Sequence, residues 1–287
     1  MRFKNSFPFL LTILLFCSCE KESNGQSPEG NDKYTLVWAD EFDYNGRPDP
    51  AKWTYEMGQR RNHEKQYYTD SLKNARVENG NLIIEGHKTR FLNPNFVDTN
   101  DADWKQNQKY LDYTSASIST EHLAEWKYGI IEVKAKLPKG VGQWPAIWML
   151  GKNIDQVGWP KSGEIDIMEQ VGYEPEVVHG TVHTETYNHT KGTQKGQTVF
   201  IDNPYDEFHV FAVEWTPEKI DFLLDGKVYF VFNNDNKSEN EWPFDQPFYL
   251  KLNIAIGGDW GGIQGIDDSV FPQKMTVDYV RVYQKKK

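Results

Sequence analysis

The chain has 287 residues, with 42 acidic against 32 basic side chains and a formal net charge of −10. That length suits one large domain or two modest ones, and all-β sandwiches reach it as a single domain. The acidic balance argues against nucleic acid as a partner, since its phosphates would be repelled, and the only relief is a short lysine tail at 285–287. Aromatic residues make up 14 % of the chain and ten of them are Trp. Such a content serves a core, and it equally suits sugar binding, because pyranose rings present apolar C–H faces that stack on indole.

At the start of the chain, Arg2 and Lys4 precede an apolar run from Phe7 to Phe16 that is too short to span a bilayer stably. Ser18 and Cys19 follow, and then the charged run Glu20-Lys21-Glu22. An apolar stretch, a small residue and a cysteine have the form of a bacterial lipoprotein signal, with residues 1–18 removed and Cys19 the lipidated first residue. The plainer alternative is an ordinary secretory signal. Both cysteines of the chain lie here, so the mature domain is expected to hold no disulfide. Residues 19–33, rich in Glu, Ser, Asn, Gly and Pro, read as a flexible spacer. Residues 34–287 read as one folded domain. Anchored through Cys19, the protein is expected at the outer membrane and cell surface of a Gram-negative bacterium, as a monomer.

Within the domain the dominant signal is period-two alternation. Asn79-Gly80 precedes Leu82 and Ile84, and Ile131, Val133, Ala135 and Leu137 alternate with Glu132, Lys134 and Lys136. Ile220, Phe222 and Leu224 run into Asp225-Gly226, a hairpin signal. In the last strand Val277, Tyr279, Arg281 and Tyr283 alternate with Asp278, Val280 and Val282. Helical periodicity is nearly absent, so the pattern predicts a sandwich or barrel. The stretches 87–112 and 186–206 read as long polar loops, of the kind that build binding sites.

The segment most informative about chemistry is Ser162-Gly163-Glu164-Ile165-Asp166-Ile167-Met168-Glu169-Gln170. On a strand Glu164 and Asp166 share one face, with Ile165 and Ile167 on the other. Strict alternation would drive Glu169 into the core, where an unpaired carboxylate costs several kcal/mol. A β-bulge at Ile167-Met168 absorbs one residue and returns Glu169 to the acidic face. Three neighbouring carboxylates repel, so at least one is expected to hold a proton near neutral pH. Taken by itself the spacing is open to catalysis, to a hard cation such as calcium, or to a solvated polar face. His179 and His183 share a face of a later strand, but their spacing matches metal binding only on a helix. His63-Glu64 lacks the second histidine of a zinc protease motif.

This acidic strand resembles the catalytic strand of glycoside hydrolase family 16, in the bulged form of its laminarinase-like members. So do Gly142-Gln143-Trp144-Pro145-Ala146-Ile147-Trp148-Met149-Leu150, Gly158-Trp159-Pro160 and Phe208-His209-Val210-Phe211-Ala212-Val213-Glu214-Trp215-Thr216-Pro217. Asn253-Ile254-Ala255-Ile256-Gly257-Gly258, Val277-Asp278-Tyr279-Val280-Arg281-Val282-Tyr283 and the opening Val37-Trp38-Ala39-Asp40-Glu41-Phe42 also match, in the family's order.

The resemblance implies a concanavalin-like β-jelly roll, an all-β sandwich of two curved antiparallel sheets with a β-glucan lying across one of them. It implies Glu164 as nucleophile, Glu169 as general acid/base and Asp166 as the residue that positions the nucleophile, with no cofactor for catalysis. Trp144 and Trp148, which core packing alone would explain, are implied to flank the cleaved sugar. Trp159 and Trp260 join them as stacking candidates, His183 matches a position near the acid/base, and Asn62 and Glu64 match a loop at the non-reducing side of the cleft. A structural calcium away from the cleft is implied at Glu41, the Gly80 carbonyl and Asp278. One departure stands out: the family strand matching Tyr113-Thr114-Ser115-Ala116-Ser117-Ile118 often carries Arg where this chain has Ser117, which removes a donor fork for sugar hydroxyls. Retaining endo-hydrolysis of β-1,3-containing glucans is therefore the expected activity. A non-catalytic glucan-binding protein and a transglycosylase are the alternatives on the same fold.

Overall fold

The computed structural model describes residues 33–99 and 103–286. The expected signal segment, Cys19 and all but the last residue of the spacer lie outside the described residues.

Two sheets form the body of the domain. In the seven-stranded sheet the neighbours run Lys195–Phe200, Val177–His183, Glu164–Glu169, Gln143–Gly151, Phe248–Ile256, Ser117–Ser119 and Thr54–Glu56. The ten-stranded sheet runs from Lys227–Asn233 through Lys219–Leu224, His209–Trp215, Gly129–Lys136, Gln273–Lys285, Asn81–Leu92 and Tyr110–Ser115 to Gln66–Tyr68, with Tyr34–Asp40 and Ala75–Glu78 paired alongside. Every strand pairing is antiparallel except the short parallel contact of Gln66–Tyr68 with Tyr110–Ser115. Hairpins between chain neighbours make up about half of the pairings, but the long central partners Gln143–Gly151 and Phe248–Ile256 come from distant parts of the sequence. The expected all-β jelly-roll sandwich is what the chain forms.

The core lies between the sheets. Ile147, Met149, Ile165 and Ile167 reach into it from one side, and Ile131, Val133, Val213, Phe222 and Val280 from the other. Asp225-Gly226 and Asn79-Gly80 each place both residues at positive φ (49° and 75°, 53° and 73°), the conformation a two-residue hairpin turn needs to match the strand twist.

Two readings of the sequence change here. First, the polar stretches hold more strand than expected. Asn81–Leu92 extends to residue 92 and Tyr110–Ser115 begins at residue 110, while 186–206 contains a 3-10 turn, His189–Lys191, and the strand Lys195–Phe200. Lys195–Phe200 is a sheet edge with almost every side chain exposed, so it has no buried face to impose alternation. Second, the last strand is not strictly alternating. Its register shifts between Val277 and Tyr279, so Met275 and Val277 enter the core before the shift and Val280 and Val282 after it. Tyr279 and Arg281 are left together on the other face, with the guanidinium 3.8 Å from the ring centroid.

The inward residues of the acidic strand seal the sandwich beneath the site. Ile165 is fully buried. Ile165→Ala is expected to cost about 2–5 kcal/mol, read as a lower melting temperature or denaturant midpoint; an unchanged midpoint would show that this strand does not close the core.

Candidate active site

The cleft sits on the face of the seven-stranded sheet turned away from the core. Along Gln143–Gly151 the side chains of Trp144, Ala146, Trp148 and Leu150 point into it, while Ile147 and Met149 point inward. The next strand repeats this with Glu164 and Asp166 outward and Ile165 inward. The register then shifts, between Asp166 and Met168 against one neighbour and between Asp166 and Glu169 against the other. Ile167 and Met168 are both buried in the core and Glu169 returns to the cleft, as expected of a bulge. All three acids line a cavity of about 330 Å³ together with Asn62 and Glu64.

Each acid has its own neighbour. Trp159 Nε1 donates to Glu164 Oε2 (2.7 Å), and Trp144 Nε1 donates to Glu169 Oε1 (3.0 Å). Asp166 is 2 % exposed, and its Oδ2 faces His183 Nε2 at 3.3 Å. His183 pairs in the ladder with Glu164; the histidine opposite Glu169 is His179, which is held by Glu174 at 2.9 Å. Trp148 donates to Asn253 Oδ1 (2.8 Å). Trp144 and Trp148 are largely buried, so they offer the cleft only part of each ring. Trp260 stands edge-on against Trp144 and His179 as flanking support. Glu64 is buried and accepts from Gln66 Nε2 (2.7 Å).

The cleft also contains residues that sequence reasoning passed over: Arg61, Ile154, His189 and Asn253. Arg61 and Asn253 adjoin or belong to segments already singled out. Ile154 sits on the one-turn helix Ile154–Val157, and His189 on a turn hidden in the polar stretch. His189 packs on the Trp159 ring at 4.9 Å between centroids.

The expected calcium ligands do not fit a cation. Glu41 receives Arg281 Nε and Nη2 at 2.7 and 2.9 Å, and Asp278 Oδ2 pairs with Lys134 Nζ at 3.0 Å. Both carboxylates are already neutralised, which leaves little to draw a metal to the Gly80 turn. Among the described residues, the grouping of acid and histidine side chains close enough to share an ion is Glu164, Asp166 and His183, whose ligand atoms lie within 4.8 Å of one another. Those residues belong to the acid cluster itself.

The electrostatics separate the acids. Burial raises Asp166 well above the ordinary carboxylate range, and the neighbouring Glu164 charge adds to it. Glu169 is also raised well, first by burial and then by the charges of Asp166 and Glu164. Desolvation thus outweighs the repulsion that the sequence put first. A carboxyl whose folded value is raised binds its proton more tightly folded than unfolded. Its contribution to stability is complete below its unfolded value and is lost as pH climbs toward the folded one. Glu169→Gln removes this penalty and keeps an acceptor for Trp144. The variant is expected to melt higher than the wild type near neutral pH, by on the order of 2–4 °C per kcal/mol recovered, with the gap closing below about pH 4. Melting curves across pH check this, and a gap independent of pH would refute it.

Neighbouring carboxyls on one cleft face, two of them with raised proton affinity, are the equipment of a glycoside hydrolase. The chain belongs to the glycosyl hydrolases family 16, whose family model matches residues 62–281. It is similar to a β-glucanase of Rhodothermus marinus, 46 % identical over 286 residues that cover 96 % of this chain and 93 % of the relative. The solved laminarinase of Rhodothermus marinus superposes with a TM-score of 0.79 at 47 % identity, covering 88 % of this chain and 98 % of that one. A non-specific endo-β-1,3(4)-glucanase of the family, co-crystallised with 1,3-β-D-cellotriosyl-glucose, gives a TM-score of 0.80 at 45 % identity over 89 % of this chain and 96 % of that one.

Proposed function

We propose that the chain hydrolyses β-1,3-containing glucans, laminarin or mixed-linkage β-1,3/1,4-glucan, by double displacement at internal bonds. The observation that carries the reading is the bulged strand, which puts Glu164 and Glu169 on one cleft face with different partners and in surroundings that raise the proton affinity of Glu169. In this reading Glu169 donates its proton to the departing glycosidic oxygen while Glu164 attacks the anomeric carbon. Trp159 fixes the attacking carboxylate, and Asp166, buried beside it, holds its orientation. Once Glu164 is esterified its charge is gone, the proton affinity of Glu169 falls, and Glu169 takes a proton from water to release the sugar. Retention of both glutamates favours a catalyst over a glucan-binding protein. Whether water or a second sugar intercepts the intermediate decides between hydrolysis and transglycosylation. A groove that crosses several strands suits cuts within a chain.

Glu164→Gln and Glu169→Gln are each expected to lower kcat by roughly 10²–10⁴-fold or more with folding preserved. Proton NMR during early hydrolysis of laminarin is expected to show the β-anomer first. An initial α-anomer, or near-normal turnover in either variant, would overturn the assignment.

We also propose that Cys19 carries a lipid that anchors a monomeric enzyme to the outer membrane, displayed at the cell surface. The support is the basic, apolar, Ser18-Cys19 order of the first residues. Mass spectrometry of the mature amino terminus is expected to find acylated Cys19, with Cys19→Ala leaving the detergent phase. A mature terminus elsewhere would refute the anchor.

A further inference from the structure

The floor of the cleft carries one row of residues straight across the seven-stranded sheet. Glu169 lies opposite Ala146, Ala146 opposite Asn253, Asn253 opposite Ser117, and Ser117 opposite Glu56. With strands about 4.8 Å apart, this row runs roughly 19 Å from the acid cluster to Glu56. A polymer lying across the strands follows it.

At the far end of the row is a cluster of ions. Glu56 Oε2 accepts from Ser117 Oγ (2.6 Å) and Arg61 Nη2 (2.5 Å), and Glu56 Oε1 pairs with Lys251 Nζ (2.8 Å). Burial alone would raise Glu56, but Arg61 and Lys251 outweigh it and hold the carboxyl well below its ordinary value, so Glu56 is an anion that fixes its partners. Lys251 is only 2 % exposed, whereas Arg61 is 25 % exposed and lines the cleft. The Arg61 guanidinium lies 4.9 Å from the Trp148 ring centroid. Its Nε and Nη1 have no hydrogen-bond acceptor among the described residues. A planar donor fork is thus clamped at one nitrogen, laid on an indole and turned toward the groove beside Asn62 and Glu64.

We infer that Arg61 is a substrate-positioning residue, its guanidinium donating to sugar hydroxyls of the bound glucan while Glu56, Ser117 and Lys251 hold it in place. The fork absent at position 117 is in this way supplied from the loop between Thr54–Glu56 and Gln66–Tyr68, and Ser117 serves the anion that orients it. Its contacts are to sugar hydroxyls and not to the reacting atoms, so it acts on binding rather than on the bond-breaking step. This rests on the glucanase reading above.

The test pairs kinetics with binding. Wild-type cleavage of laminarin checks the reading on which the inference rests, and its absence would sink that reading whatever Arg61 does. Given an active wild type, Arg61→Ala is expected to raise KM for laminarin by about tenfold while kcat stays within about threefold. Arg61→Lys, which brings charge without the fork, is expected to recover only part of that loss. Calorimetric titration of a β-1,3-gluco-oligosaccharide into Glu169→Gln, with and without Arg61→Ala, is expected to show the same loss of affinity. Unchanged KM and oligosaccharide affinity in Arg61→Ala would overturn the proposal. So would a fall in kcat and melting temperature with affinity intact, since that marks a structural role, and so would full recovery by lysine.

Discussion

The site depends on keeping three carboxyl groups together within six residues of one strand, at the boundary between water and a dry core. Unscreened, they would repel one another and resist burial. Among the described residues, no arginine or lysine is paired with them. The protein answers with indole N–H donors: Trp159 on Glu164 and Trp144 on Glu169, neutral groups that orient an oxygen without fixing its charge. An arginine in either place would lock its carboxylate in the ionised form and prevent a proton from moving on and off. Arg61 and Lys251 are instead bound to Glu56, on the far side of Trp148. The groove therefore holds proton-exchanging carboxyls and an ion-paired cluster on one sheet face, and Trp148, opposite both Asp166 and Lys251, stands between them.

Much of this was legible in the residues, because both the fold and the acid strand obey simple periodicities. The alternation of Ile131, Val133 and Ala135 and the Asp225-Gly226 turn follow from the burial of one sheet face and the demands of a two-residue loop. The bulge at Ile167-Met168 was readable for a different reason: without it a carboxylate would be stranded in hydrocarbon. The second bulge, at Asp278, was not, because the residues around it are tyrosines, valines and an arginine that tolerate either face. The edge strand Lys195–Phe200 was hidden for the converse reason, being solvated on nearly all sides.

Within the site, residues on the strands were easier to foresee than those brought in from turns. Glu164 and Asp166 share a face by counting, as do Trp144 and Trp148 on the neighbouring strand, and Glu169 joins them once the bulge is allowed, whereas His189 and Ile154 arrive on short turns whose direction no periodicity encodes. Arg61 was missed because its role depends on Glu56 and Lys251, which lie on separate strands. The expected calcium ligands failed for a related reason. Glu41 and Asp278 looked like donors in search of a cation, and the cations they found were Arg281 and Lys134.

The bulge in the acidic strand also bears on how the gene encoding this chain can change in length. Elsewhere in a strand, losing a single codon turns every following side chain to the opposite face and would bring the cleft inside and the core outside. Here Ile167 and Met168 both point inward. A chain lacking Met168 would step from an inward Ile directly to an outward Glu, leaving each acid on its own side. The same stretch of strand is thus compatible with two spacings of its glutamates, so distant kin are better aligned by which face a carboxyl occupies than by how many residues separate it from the next.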